Sequence, residues 1–421
     1  MKTLFLISLS LLAFTQPLFS QNLPLAKQQV DTLCSPAMLG RGYNSEGDKK
    51  AAEYIRNEFK SIGLEDIAED YYQKFQLNVN TFPNQVYLKL GKKTLIPGRD
   101  FIPDPSSGNA WGKGKLIQLD TLIFSDSVAQ EKFLQQDLIG NVLVYDEKFD
   151  AAVYKLPRKP MVKLMQAAAV IVLVDKLTFG VGRQQMRFGK FKVLKSSFDA
   201  KAKKVHYQLV AELKERYITQ NVMGMVEGTA KPDSFLIVSA HYDHLGTLGE
   251  NVYFPGGNDN ASGTALLLQM AKHFKETPPA FSIIFIAFGA EEAGLVGSQY
   301  YVHYPIVPLD KTAFMLNLDL IGTGEEGVMV VNGLIFQDEF KLLEEVNKKG
   351  GYLSEIKKRG KAANSDHYPF SENGVKSFFF YLMGDWKNYH DIYDDNQVPL
   401  TKFPETFKLC VDFLDALQER S

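Results

Sequence analysis

Two histidines and five carboxylates recur at one kind of place in this chain, just after an apolar run. His241 and Asp243 follow Leu236–Ala240, and Asp259 closes the Gly-rich loop beyond them. Glu291 and Glu292 follow Phe281–Phe288, Asp319 follows Phe314–Leu318, and Tyr389–His390 lie a loop beyond the run that ends at Leu382. Imidazole nitrogen and carboxylate oxygen are donors that Zn²⁺ favours, and hydrolytic sites often hold two ions about 3.5–4 Å apart that clamp the reacting oxygens. The number of donors suits two ions. Taken singly, each has a plainer explanation: Asp259 could cap a helix, and the Glu pair could complement a helix dipole. Their common placement argues against seven separate coincidences.

The elements that would position them read as an α/β domain. Short β-branched and aromatic runs at Gln220–Val226, Phe235–Ala240, Ser282–Phe288, Ala313–Leu318, Gly327–Asn332 and Lys376–Leu382 predict strands. Helical periodicity lies between or after them, at Ala265–Lys275, Gly294–Tyr301, Asp338–Gly350 and Pro404–Leu417. Near-continuous apolar strands alternating with helices imply a largely parallel mixed sheet covered on both faces, and such sheets bind ligands at the carboxyl ends of their strands. Upstream, Ser45 is expected to cap a helix over Glu46–Ile62 that ends at Gly63. Tyr72–Leu90 alternates as a strand broken at Pro83.

Between about Gly98 and Leu213 the texture changes. Gly140–Tyr145 and Val170–Val174 read as buried strands around a helical Val162–Ala169, without a histidine among them. This part reads as an inserted domain with no chemistry of its own. The expected division is a leader over 1–20, a larger α/β domain formed by 21–97 and 214–421, and the insertion over 98–213. The leader reading rests on Lys2, the apolar run Leu4–Phe14 and a cleavage site near Ser20, and implies export to a periplasmic or extracellular space. No other stretch reaches the roughly 18 apolar residues of a membrane helix, so no membrane partner is expected after cleavage.

A net charge of −2 with 45% hydrophobic residues argues against a nucleic-acid partner. The basic stretch Arg183–Lys204 reads as a solvated face. Cys34 and Cys410 could pair in an oxidising compartment, though two cysteines make no scaffold. His206, His273 and His303 lack neighbouring donors in the pattern, and His244 and His367 are left open.

Six motifs in order narrow the reading: His-x-Asp at 241, Asn-Asp-x-Ala-Ser-Gly at 258, Gly-Ala-Glu-Glu-x-Gly-Leu-x-Gly-Ser at 289, Asn-x-Asp-x-Ile-Gly at 317, Ser-Asp-His-x-x-Phe at 365, and Tyr-His at 389. Together they resemble the co-catalytic dizinc aminopeptidases, the bacterial leucyl aminopeptidase-like zinc exopeptidases. The resemblance implies a three-layer α/β/α zinc-exopeptidase fold with a protease-associated-like insertion, and two Zn²⁺ ions. It implies that Asp259 bridges the ions, with His241 and Asp319 completing one site and Glu292 and His390 the other. Glu291 would be the base that activates a metal-bridging water, Asp243 would orient a ligand, and Tyr389 would steady the oxyanion. The chain departs from some members at Asn364, where they carry Arg, and at Asp391–Ile392 after the last histidine.

The expected activity is a secreted zinc-dependent exopeptidase acting on peptides. Alternatives are a single-zinc acyltransferase of the glutaminyl cyclase kind and an inactive receptor-like ectodomain. Because no Arg lies between Arg216 and Arg359 to clamp a substrate carboxylate, the free α-amine is the end expected to be read. No ligand is expected from the insertion, so removing it should leave the donor set complete.

Overall fold

The computed structural model describes residues 23–420, and the expected leader lies outside them. Within these residues the chain builds two eight-stranded sheets. The first runs in the order Tyr72–Thr81, Glu212–Val226, Phe281–Phe288, Lys231–His241, Thr312–Leu318, Ser377–Leu382, Val328–Val331 and Ile356–Lys358. Lys231–His241 is parallel to both its neighbours, and Ser377–Leu382 continues the parallel set. Antiparallel pairs flank that centre, so the sheet is mixed as expected.

Every residue of Phe281–Phe288 is buried. Its alternate side chains enter different cores: Ile283, Phe285 and Ala287 join the helices Leu23–Leu33, Gly47–Ile62, Gly263–Glu276 and Phe403–Arg420, while Ile284, Ile286 and Phe288 meet Tyr301 and Phe370 on the other face. That is a three-layer arrangement. A one-residue slip would exchange the two faces of a strand, so double burial sets the register that carries His241 and Glu291 to one edge.

The second sheet runs Lys93–Leu95, Val86–Leu90, Lys204–Leu209, Ala110–Gln118, Val142–Asp146, Ala169–Val174, Gly189–Leu194 and Phe101–Pro103. It begins earlier than the expected Gly98. The break at Pro83 is where the chain leaves the first sheet, and Val86, Leu88 and Leu90 turn into the second core. The helix expected at Val162–Ala169 lies at Arg158–Leu164, because Ala169 is already the buried first residue of a strand.

Smaller differences have local causes. The helix after Ser45 starts at Gly47, and Ser45 makes no side-chain cap because it occupies a short turn with φ 52. Cys34 and Cys410 are both buried free thiols, so no bridge joins them. No helix among the described residues is long and apolar enough to cross a membrane.

Candidate metal centre

His241 ends the central strand, and its ring is aimed by its own chain. Nδ1 lies 3.1 Å from the carbonyl of Asp243, which can only accept, so Nδ1 carries a proton and Nε2 is the nitrogen turned to the carboxylates. That Nε2 stands 3.2 Å from Asp259 Oδ1 and 3.4 Å from Asp319 Oδ1. His390 is set in the same way by the insertion: its Nδ1 donates to the Phe179 carbonyl at 3.0 Å, while Nε2 lies 3.1 Å from both Asp259 Oδ2 and Glu292 Oε2. Asp259 thus stands between the two histidines with one oxygen toward each.

The residues present fit divalent metal. A ligating histidine needs its other ring nitrogen tied down, and both have this. Asp259 Oδ1 and Asp319 Oδ1 are buried without a hydrogen-bond partner. Donor atoms gather within 4.8 Å in two groups that share Asp259: His241, Asp259 and Asp319, then His244, Asp259 and Glu292.

Asp243 holds the Glu pair in place. Its Oδ1 accepts from the Glu291 amide at 3.0 Å and its Oδ2 from the Glu292 amide at 3.3 Å, with the Tyr43 hydroxyl donating to Oδ2 at 3.1 Å. Asp394 does the same for the Asp259 loop, accepting from the amides of Asn258 at 2.8 Å and Asp259 at 3.0 Å. Asp319 Oδ2 accepts from Ser365 at 3.0 Å, and Asn317 donates to Ser365 at 2.8 Å. The buried Arg41 guanidinium donates to the carbonyls of Leu33, Tyr242 and Gly256 and so staples both metal-side loops. Its neighbours must be small: a Cβ on Gly42 would lie 2.3 Å from Gly246 Cα.

Electrostatics point the same way. Burial opposes charge on His241 and His390, yet the surrounding carboxylates outweigh it and hold both protonated, His390 up to about 11. Burial would raise Glu292, but His390 and the hydrogen bonds from His244 and His390 bring it down to about 2. Burial, with Asp366, Glu292 and Asp319 nearby, pushes Glu291 well up against the pull of His241. A cluster that keeps imidazoles charged is one in which divalent cations can replace protons.

Glu291, Asp319, Tyr389 and His390 line a cavity of about 180 Å³ with Phe379 and Arg359. Tyr389 is 42% exposed and stacks on His390 at 4.0 Å. Burial and the carboxylates push its pKa up, so its hydroxyl stays a donor. Arg359 is an exposed residue of that lining. A larger groove of about 900 Å³, lined by Gln76, Asp104, Arg183 and Arg216 among others, contains none of the predicted donors.

All eight residues singled out in the sequence meet at this edge. His367 is a core residue: burial holds its pKa down to about 3, and its ring packs on Phe379 at 5.3 Å. His244, left open in the sequence, belongs to the site, and Asp394, Arg41, Tyr43 and Phe179 were missed as parts of it. A signal existed for Asp394, which ends the Asp-Ile-Tyr-Asp run after His390, and for Arg41 between two glycines.

The fold and donor set define a metal-dependent peptidase class. Residues 221–413 match the model of peptidase family M28. The chain is 28% identical over 324 residues to aminopeptidase YwaD of Bacillus subtilis, covering 74% of this chain and 68% of that protein. Its fold is shared with BSAP, a zinc aminopeptidase from B. subtilis, at 20% identity and TM-score 0.68 over 93% of this chain and 94% of the other. An aminopeptidase from Aneurinibacillus sp. strain AM-1 is similar at 21% identity and TM-score 0.62, covering 95% and 93%.

Proposed function

We propose that this protein is an exported zinc aminopeptidase with two metal positions. One observation carries the reading: Asp259 offers one oxygen to each of two histidines whose Nε2 atoms are aimed by bonds at Nδ1. In this reading His241, Asp259 and Asp319 hold one ion, and Asp259, Glu292 and His390 hold the other. Zinc bound there supplies a Lewis acid for the scissile carbonyl and lowers the pKa of water.

The chain's own residues do the rest. The Glu291 carboxylate takes a proton from the attacking water and returns it to the departing amine. Asp243 fixes where that carboxylate starts from, through the Glu291 amide. The Tyr389 hydroxyl donates to the oxyanion. The α-amine of the substrate is drawn by the carboxylates that line the cavity, an attraction that grows as water is excluded.

Arg359 is the counterweight to that last step, since it lines the same cavity. It is exposed, whereas Asp259 and Asp319 are buried, so the cation lies toward solvent and the anions lie deep. The test uses one dipeptide with its N-terminus acetylated or its C-terminus amidated, with metal analysis on the same sample. Amidation is expected to preserve cleavage and acetylation to stop it, with two zinc ions per chain. The opposite pattern would make the enzyme a carboxypeptidase. One zinc per chain with cyclisation of N-terminal glutamine would favour the acyltransferase, and metal-free inert protein the receptor-like ectodomain.

A further inference from the structure

The adjacent Glu291 and Glu292 raise a question that motif order leaves open: why one would ligate while the other stays free to move protons. We infer that His244 is the positioning residue that makes this distinction, by fixing Glu292 for the second metal position. The inference rests on the dizinc reading above.

His244 lies three residues past His241 and is fully buried. Its Nδ1 is 2.8 Å from Glu292 Oε1. A carboxylate facing an imidazole in this way accepts, so the proton sits on Nδ1. The other oxygen, Oε2, faces His390. Glu292 is therefore held at both oxygens by two imidazoles whose rings meet edge to face at 5.9 Å. Among the described residues no hydrogen bond reaches the Glu291 carboxylate, although its amide is tied to Asp243. One glutamate is clamped and its neighbour is not.

The His244 ring cannot drift away. Its backbone amide donates to the Arg41 carbonyl at 3.2 Å. Its Cδ2 lies so close to Gly256 that a Cβ added there would come within 2.5 Å. Gly256 has φ 63, which also favours glycine. The ring is thus wedged between the Arg41 staple and the loop that delivers Asp259. Once His390 Nε2 turns to a metal, the bond from His244 still aims the carboxylate and leaves Oε2 for the ion. Partners of this kind typically contribute about 10- to 100-fold to metal affinity.

The experiment replaces His244 by Phe, which fills the space without a donor, and by Asn, whose amide can still donate to Glu292. Zinc is titrated into metal-stripped wild type and both variants, and melting is followed with and without zinc. For His244→Phe the expected result is one tight ion instead of two, with the second bound about 10- to 100-fold more weakly. His244→Asn should recover most of that loss. The zinc-free melting temperatures should agree, while the rise on adding zinc should be smaller for His244→Phe, because only native-state binding is affected. Two equally tight ions in His244→Phe would overturn the inference and leave the dizinc reading standing. A zinc-free His244→Phe that melts well below wild type, and is not rescued by Asn, would make His244 a packing residue and also overturn it. Failure of wild type to bind two ions would remove the dizinc reading itself.

Discussion

In the insertion, Lys190 is nearly enclosed, and its ammonium lies 3.7 Å from Asp104 and 3.5 Å from Asp150. Nearby, Lys195 meets Asp146 at 3.1 Å and Asp175 at 2.9 Å. At the edge of the first sheet, Asp243, Asp259, Asp319 and Asp366 are all buried, and no Lys or Arg forms an ion pair with them among the described residues. Both sheets bring carboxylates to loops at strand ends. Only around the second sheet are they met by Lys side chains. A buried charge that the chain neutralises by itself is architecture, whereas an excess of carboxylates around imidazoles whose Nε2 protons a metal can displace is arranged for cations from outside.

Removing the shared carboxylate should give the largest effect on the metal side of this comparison. Asp259→Ala is expected to lower zinc occupancy at both positions and abolish hydrolysis, measured as metal per chain after dialysis. Loss of a single ion would mean that Asp259 belongs to one position only. Next in size is Glu291→Gln, which should cost roughly two to four orders of magnitude in kcat with metal content unchanged, because a base is lost and no donor. If metal fell in step with activity, the division of labour between Glu291 and Glu292 would have to be reversed.

The two regions are not independent, and the link between them adds to the expectation from sequence. No donor comes from the insertion, yet Phe179 exchanges two hydrogen bonds with His390, its amide to the His390 carbonyl at 2.9 Å and its carbonyl to Nδ1 at 3.0 Å. Removing the insertion would therefore unseat a proposed ligand while leaving the donor list intact. Phe179 is itself placed by stacking on Phe254 at 4.7 Å. Phe179→Ala keeps the carbonyl but loses a stack worth about 0.5–1.5 kcal/mol, so the second ion should bind roughly 2- to 10-fold more weakly. Unchanged zinc titration would show that the rest of the loop holds the carbonyl without the ring.

What could be read beforehand follows from the range of the interactions. The strands of the first sheet were legible because double burial writes itself as continuous apolar runs, and the predicted donors because each ends such a run. Glu292's bond to His244 and His390's bond to Phe179 connect residues 48 and 211 positions apart. No periodicity records such contacts. That Val86–Leu90 joins the second sheet was hidden for a related reason, since a strand alternates in the same way whichever sheet it joins.

The smallest expected effect on catalysis lies wholly in the insertion and tests the comparison from its other side. Lys190→Met keeps much of the side chain's length but removes the charge facing Asp104 and Asp150. Stripping one partner from a fully buried ion pair costs roughly 3–5 kcal/mol, because the remaining charge is left uncompensated. Here the cost should fall short of that, since the Asp150 side chain is 34% exposed and can draw on solvent. Burial opposes the charge on Lys190, but Asp104 and Asp150 outweigh it and raise its pKa, so the ammonium stays charged and the pair intact at neutral pH. Lys190→Met should therefore melt at a lower temperature while binding the same two zinc ions with unchanged kcat/KM. A drop in kcat/KM or metal content at equal folded fraction would show that the self-neutralised cluster feeds into the metal edge, and the contrast between the two sheets would no longer hold.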